Sequence, residues 1–223
     1  MDSLIQEGRV IVNGDPATGP GLQVDAQKDA VLVDGDPVSL QPDNAVYLLN
    51  KPAGFLTTLH DPQGRPTIKD FIEDIPNRLF PAGRLDRDTR GLLLLTNMGA
   101  LCHRLTHPSF GVEKEYRILV DAALTSQKQR QLEQGVRLEE GRTSPSRIAA
   151  VAQGGRSFHL ILHEGWNRQV RRMCLKVGLK VLQLERVRYA FLDLDGVGCG
   201  RLRRLRGAEV RRLEELVRLT GRR

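Results

Sequence analysis

Lysine is scarce in this chain. Its 223 residues include 34 basic side chains, of which 7 are Lys and 27 are Arg. A generic solubilising surface would draw far more on Lys. Arg offers a flat fork of donors that fits phosphates and stacks on bases, so the bias favours a nucleic-acid partner; the alternative is that arginine-rich tails follow genomic composition. Cysteine is scarce too: Cys102, Cys174 and Cys199 are odd in number and widely spaced. That fits a reducing cytoplasm better than a disulfide framework, and there is no paired CxxC of the zinc-binding kind. No apolar run approaches the roughly 18–20 residues that span a bilayer, residues 92–95 being the strongest short one. The N-terminus is acidic and has no hydrophobic stretch, so no signal peptide is expected. The expectation is a cytoplasmic protein with no membrane partner. His103/His107 and His159/His163 sit four apart, but neither pair has the HExxH glutamate or a further ligand nearby. They read as structural histidines, and no metal site is expected.

What is present is an ordinary soluble composition, 40 % hydrophobic and 27 % charged, at a length that suits one large domain or a large and a small one. The net charge of +7 is unevenly placed. Residues 1–50 carry −6, residues 51–164 carry +3 and residues 165–223 carry +10. A polyanion is therefore expected to meet the last quarter of the chain.

Several elements can be read in order. A helix end stops at Gly8, a strand over 10–12 runs into Asn13-Gly14, and a second over 30–33 reaches Asp34-Gly35 before 38–40. Both dipeptides are tight-turn signals. These are pieces of a small α+β module, marginal in size for independent stability, with a linker at 41–44. Strands are expected at 45–49, 92–96, 116–120 and 181–194, and a hairpin joins 146–152 to 157–163 through Gly154-Gly155. Helices are expected over 69–75, 100–106, 125–134, 168–177 with Asn167 as cap, and 208–219.

Three constellations could carry chemistry. Gly83-Arg84-Leu85-Asp86-Arg87-Asp88-Thr89-Arg90-Gly91 sets two carboxylates among arginines directly before a buried strand. A carboxylate held against a cation keeps its charge when desolvated, which suits a nucleophile or base; surface ion pairs are the alternative. Glu113-Lys114-Glu115-Tyr116-Arg117 opens a strand with one of only three tyrosines, either a base-stacking ring or a core residue. Glu164-Gly165-Trp166-Asn167-Arg168-Gln169-Val170-Arg171-Arg172-Met173 places cations in the first turn of a helix, where its dipole disfavours them. A partner anion is expected there, RNA phosphate or a catalytic carboxylate, unless the face is simply solvated.

Taken together, these residues resemble the RsuA/RluB family of RNA pseudouridine synthases. The 83–97 segment is similar to the family's catalytic motif, Leu49-Asn50-Lys51-Pro52-Ala53-Gly54 to its first motif, Lys114-Glu115-Tyr116 to its tyrosine motif and 164–173 to its basic motif. Order and spacing agree from about residue 45 to 206. The first 40 residues resemble the C-terminal half of an S4 RNA-binding module, which would begin some 20 residues earlier. The resemblance implies an α+β protein: a partial S4-like module over 1–43, then a pseudouridine synthase domain over 44–223 with a mixed, mainly antiparallel sheet flanked by helices.

The resemblance also implies roles. Asp86 matches the nucleophile. Tyr116 matches the tyrosine that stacks on uracil. Arg171 matches the basic residue that pairs with the catalytic aspartate. Arg84 matches the arginine that fills the space of a flipped nucleotide, Leu192 an apolar residue near the base, and Lys51, Arg168 and Arg172 are expected to bind substrate. The implied activity is isomerisation of a uridine in ribosomal RNA, in the large-subunit branch on the strength of Asp61-Pro62-Gln63-Gly64-Arg65-Pro66-Thr67, by a monomer with no cofactor. Met98, Trp166 and Ala190-Phe191 depart from the family pattern without touching an assigned catalytic residue. Two other readings are weighed: a noncatalytic RNA-binding protein of ribosome assembly, and a carboxylate-dependent hydrolase with Asp88 as its second acid.

Overall fold

The computed structural model describes residues 2–25, 28–38 and 44–220, and the chain divides into two compact units, Met1–Asn44 and Ala45–Arg223. In the first unit a short helix α1 (Asp2–Gln6) precedes strands β1 (Val10–Val12), β2 (Asp15–Pro16), β3 (Val31–Val33) and β4 (Asp36–Val38). They form one antiparallel sheet in the order β2-β1-β3-β4. Both hairpins turn on a residue pair with positive φ, Asn13-Gly14 at 53° and 96° and Asp34-Gly35 at 54° and 86°. Asn, Asp and Gly tolerate that conformation best. The linker expected at 41–44 lies, apart from Asn44, outside the described residues, as does the 39–40 end of the strand expected at 38–40.

The second unit holds strands β5 (Val46–Lys51), β6 (Phe80–Pro81), β7 (Arg90–Thr96), β8 (Lys114–Val120), β9 (Arg147–Ala152), β10 (Ser157–Leu162), β11 (Val181–Tyr189), β12 (Leu192–Asp193) and β13 (Leu202–Arg204). The sheet order is β13-β5-β7-β11-β8-β10-β9, with β6 on β7 and β12 on β11. Every pairing is antiparallel except β7 with β11. Helices α2 (Gly99–Thr106), α3 (Ser126–Glu133), α4 (Gln169–Lys176) and α5 (Gly207–Thr220) complete it.

β7 explains the four-leucine run. Leu93 and Leu95 enter one core with Leu49, Ile118, Leu160 and Met173, while Leu92 and Leu94 enter another with Val46, Leu48, Leu105 and Leu213. A strand covered on both faces reads as a continuous apolar run. Burying each of these leucines contributes about 2 kcal/mol, so β7 is a firm base for the loop that precedes it.

Gly91 sets the spacing between β7 and β11. It has φ 106°, and a Cβ there would lie 2.3 Å from the Arg186 carbonyl oxygen and 2.8 Å from its nitrogen. Backbone cannot move aside without parting the two strands. Gly91→Ala is expected to destabilise the fold by about 4 kcal/mol or more, read as the drop in urea-unfolding free energy; a loss within about 1 kcal/mol would show that the strands part easily.

Two expected elements differ. Residues 69–75 do not form an α-helix but a short 3-10 turn, Ile68–Phe71, whose first residues are capped by the Thr67 hydroxyl accepting from Lys69 N. The turn ends at Ile72, whose φ of −129° leaves helical geometry, and Pro76 separately disfavours helix at Ile75. The region 181–194 is not one strand. β11 ends at Tyr189, Ala190 turns the chain at φ 55°, and β12 folds back, with Tyr189 opposite Leu192.

Candidate active site

The loop before β7 is held from below by the turn after β5. Lys51 faces Gly91 across the β5–β7 pair and is 0 % exposed. Its Nζ donates to Thr89 O (2.9 Å), Pro52 O (3.0 Å), Asp86 O (3.3 Å) and Arg87 O (3.5 Å). Gly54 N donates to Arg87 O at 2.7 Å, and Thr57 Oγ1 donates to Leu85 O at 2.7 Å. Burial pushes the Lys51 ammonium down to about 8, against the opposing pull of Asp86 and Asp88. Lys51 was expected to bind substrate; that expectation is corrected, because a side chain with no exposed surface and four carbonyl acceptors shapes the loop instead.

The loop projects Asp86 into a cleft of about 360 Å³ that also takes in Arg84, Tyr116, Trp166 and Arg168. A smaller adjoining lobe reaches Leu162, Glu164 and Leu184. Arg84 is exposed, as a substrate-facing cation would be. Tyr116, on β8, is nearly buried and both lobes reach it.

Opposite the loop stands the start of α4. Its apolar face, Val170, Met173 and Cys174, is buried in the core with Val177 packed against it. Asn167 does not cap it as expected. Arg168 occupies the cap position at φ 48° without a side-chain cap bond. Glu164 instead braces the entry: its Oε1 accepts from Gln169 Nε2 (2.5 Å) and Ser144 N (3.0 Å), its Oε2 accepts from Ser144 Oγ (2.9 Å), and Gln169 Oε1 accepts from Trp166 N (2.9 Å). The strained Arg168 backbone delivers its guanidinium to the cleft, 3.9 Å from Asp86 Oδ2 and 3.4 Å from Asp88 Oδ1.

The other arginines are placed differently from expectation. Arg171 pairs with Asp88, Nη2 to Oδ2 at 3.0 Å, and also donates to Asp88 O. It therefore steadies the loop next to Asp86, and the cation nearest the Asp86 carboxylate is Arg168. Arg172 is held by both oxygens of Glu140 at 2.8 and 2.7 Å and lines neither lobe. Leu192 is buried in the second core with Leu92 and Leu105 and lines neither lobe; Leu184 is the apolar side chain that β11 supplies to the cleft. Asp88, the second acid a hydrolase would need, faces Arg168 and Arg171 and lines neither lobe.

Arg186 on β11 was not singled out from sequence. It is 2 % exposed, borders the larger lobe and donates from Nε to Leu92 O at 2.7 Å. Its Nη1 lies 3.5 Å from the Tyr116 hydroxyl. The signal in the sequence was an arginine within an otherwise half-apolar strand, but strand periodicity alone cannot separate a buried cation from a solvent-facing one.

Three of the five histidines bond through their rings. His107 Nδ1 bonds Ser109, His159 bonds Glu115 and His163 bonds Gly111 O. Burial pushes the Cys174 thiol up to about 12. Among the described residues no group of three His, Cys, Asp or Glu side chains could hold a metal ion, and no helix is long and apolar enough to cross a membrane.

Comparison with known proteins places this geometry. Residues 45–176 match the family model described as RNA pseudouridylate synthase. The chain is 41 % identical over 221 residues to the ribosomal large subunit pseudouridine synthase B of Bacillus subtilis, covering 97 % of this chain and 89 % of that one. It is 38 % identical to an RNA pseudouridine synthase of Aquifex aeolicus, covering 97 % and 88 %. Among solved structures, a pseudouridylate synthase superposes with TM-score 0.71 at 28 % identity, covering 95 % of this chain and 91 % of the other.

Proposed function

The chain belongs to the RsuA/RluB family of RNA pseudouridine synthases, and from that premise we propose that it isomerises a uridine of large-subunit ribosomal RNA through its Asp86 carboxylate. The similarity to large-subunit synthases of Bacillus subtilis and Vibrio cholerae supports this choice of RNA. The observation that carries the mechanism is the placement of Asp86: a half-buried carboxylate on a rigidly braced loop, with the Arg168 guanidinium 3.9 Å away and an open cleft before it.

The reaction must break N1–C1′, turn the uracil and join C5 to C1′. A uridine stacked in RNA cannot reach a carboxylate set inside a cleft, so it is extruded into the cleft, at a cost of a few kcal/mol. Asp86 then acts covalently and divides one difficult rearrangement into easier steps. Tyr116 offers its ring to the base. Arg84 and Arg168, exposed at the mouth, meet the phosphates, which makes binding weaken with salt. Arg171 acts one step back, by holding Asp88 and with it the loop. The first unit, similar to part of an S4 module, is proposed to add a secondary RNA contact, since its acidic charge favours phosphates less than the arginines of 165–223 do.

The test is tritium release from transcripts labelled at C5 of uridine. Purified protein is expected to release tritium from a large-subunit transcript and not from a small-subunit one. Release from the small-subunit transcript alone would overturn the choice of RNA, and release from neither would overturn the activity on free RNA.

A further inference from the structure

The back of the larger lobe holds two buried cations without a carboxylate between them. Arg186 is 2 % and Lys114 7 % exposed. Both lie on the ring of Tyr189, with the guanidinium carbon 4.9 Å and the Lys114 Nζ 5.3 Å from its centroid. Tyr189 is itself fixed by donating to Leu105 O at 2.8 Å. Lys114 Nζ donates to Val112 O at 3.2 Å, and no ion pair of Lys114 or Arg186 is formed among the described residues. The Arg186 Nη2 is buried with no hydrogen-bond partner at all. All three side chains border the cleft that contains Asp86.

Burying two cations side by side is costly unless something answers them. Burial and the neighbouring Arg186 together push Lys114 down to about 8. A fold that needed only packing would place apolar residues here. The occupant must therefore be an acceptor-rich or anionic group that enters only with the ligand.

We propose that Lys114, backed by the buried Arg186 guanidinium, binds a carbonyl oxygen of the flipped uracil and that the two cations together stabilise the negative charge the base gains when N1–C1′ breaks. This rests on the pseudouridine synthase reading of the same site. Depth decides between base and phosphate. An extruded base reaches furthest into a cleft, whereas its phosphates stay at the mouth, where Arg84 and Arg168 are exposed.

The charge follows from the bookkeeping of the bonds. When N1–C1′ breaks, its electron pair stays on the base and is shared among N1, O2 and O4, while the Asp86 carboxylate gives a pair to C1′. When C5 then gives its pair to C1′, the Asp86–C1′ bond breaks and the carboxylate leaves with its own pair; the C5 proton is lost and N1 gains one, so the product is an isomer. Only the intermediate stage is anionic. Donors fixed in a water-poor site act most strongly on charge that develops there.

The test compares Lys114→Met with wild type on two matched RNAs, one carrying uridine and one 5-fluorouridine at the target. Fluorine withdraws electrons and makes the base a better leaving group, so it depends less on the cations. Loss of the original nucleoside is followed in single turnover with enzyme in excess. Lys114→Met is expected to slow the uridine substrate about 100-fold and the fluorinated one about 10-fold or less, with RNA affinity held within about twofold. Its urea midpoint is expected to hold or rise, since a buried charge is removed, so the variant remains folded. Arg186→Lys, which keeps one charge and a donor for Leu92 O, is expected to show the same inequality to a smaller degree. Equal losses on both RNAs, or a loss of affinity with unchanged rate, would overturn the inference. A wild-type protein inactive on both would instead overturn the activity on which it rests.

Discussion

Asparagine in place of Asp86 is expected to slow pseudouridine formation by about 10⁴-fold or more, the scale seen when a nucleophile is removed, while leaving the fold intact. Asn keeps the shape of the side chain and removes its charge and nucleophilicity. Its structural cost is small because the carboxylate is engaged by one long ion pair, to Arg168 at 3.9 Å, and partly exposed pairs contribute about 0–1 kcal/mol. Single-turnover conversion of a labelled transcript measures the rate, and urea unfolding checks the fold. Asp88→Asn supplies the contrast. Asp88 stands outside the cleft against Arg171, so its loss loosens the loop and is expected to cost about tenfold. A wild-type rate for Asp86→Asn, or a larger loss for Asp88→Asn, would move the nucleophile to Asp88.

Lys51→Met separates shaping the loop from binding RNA. Methionine fills the volume and takes the Lys51 donor from the carbonyls of Thr89 and Pro52, while Asp86 O keeps Thr89 N and Arg87 O keeps Gly54 N as donors. Each buried acceptor left unpaired costs about 1–3 kcal/mol, partly offset because a buried charge is removed. The strain falls on the segment that aims Asp86, and a misplacement of about 1 Å at a reacting group costs about 100-fold in rate. The expected result is that loss in single-turnover rate with RNA affinity changed by no more than about threefold. A loss of affinity with the rate preserved would put the ammonium on RNA after all.

The two buried lysines also give stability a pH slope. Lys51 and Lys114 each sit at about 8 in the fold against an ordinary value near 10.5. Between pH 8 and 10.5 the unfolded chain binds more protons at these sites than the folded one, so their contribution makes stability rise with pH across that window. The burial penalty is fully present below pH 8 and gone above 10.5. Lys114→Met is expected to flatten that rise, read from urea unfolding at stepped pH; a steeper rise would mean the sign is wrong.

Much of the site was legible because its parts are local. Turns such as Asn13-Gly14, the leucines of β7 and the amphipathic face of α4 are each written in consecutive residues, and the loop around Asp86 announces itself by packing charges before an apolar run. Contacts between distant segments were harder. Arg171 and Arg172 are neighbours in sequence with the same chemistry, yet one meets Asp88 and the other Glu140, because a helix turns successive side chains by about 100°. Lys51 reads in sequence as a substrate cation, and only the pairing of distant segments buries it beneath the loop. Leu192 looked like a residue near the base, but the left-handed turn at Ala190 folds β12 back and leaves Leu184 at the cleft. Arg186 was missed for the same reason: its importance lies in what does not face it.

Pseudouridine formation in large-subunit ribosomal RNA through Asp86, as proposed, is tested most directly by mapping pseudouridines in ribosomal RNA from cells with and without the gene. A large-subunit position is expected to lose its pseudouridine when the gene is deleted, to regain it with the wild-type gene and not to regain it with Asp86→Asn. Identical maps with and without the gene, or full restoration by Asp86→Asn, would contradict it.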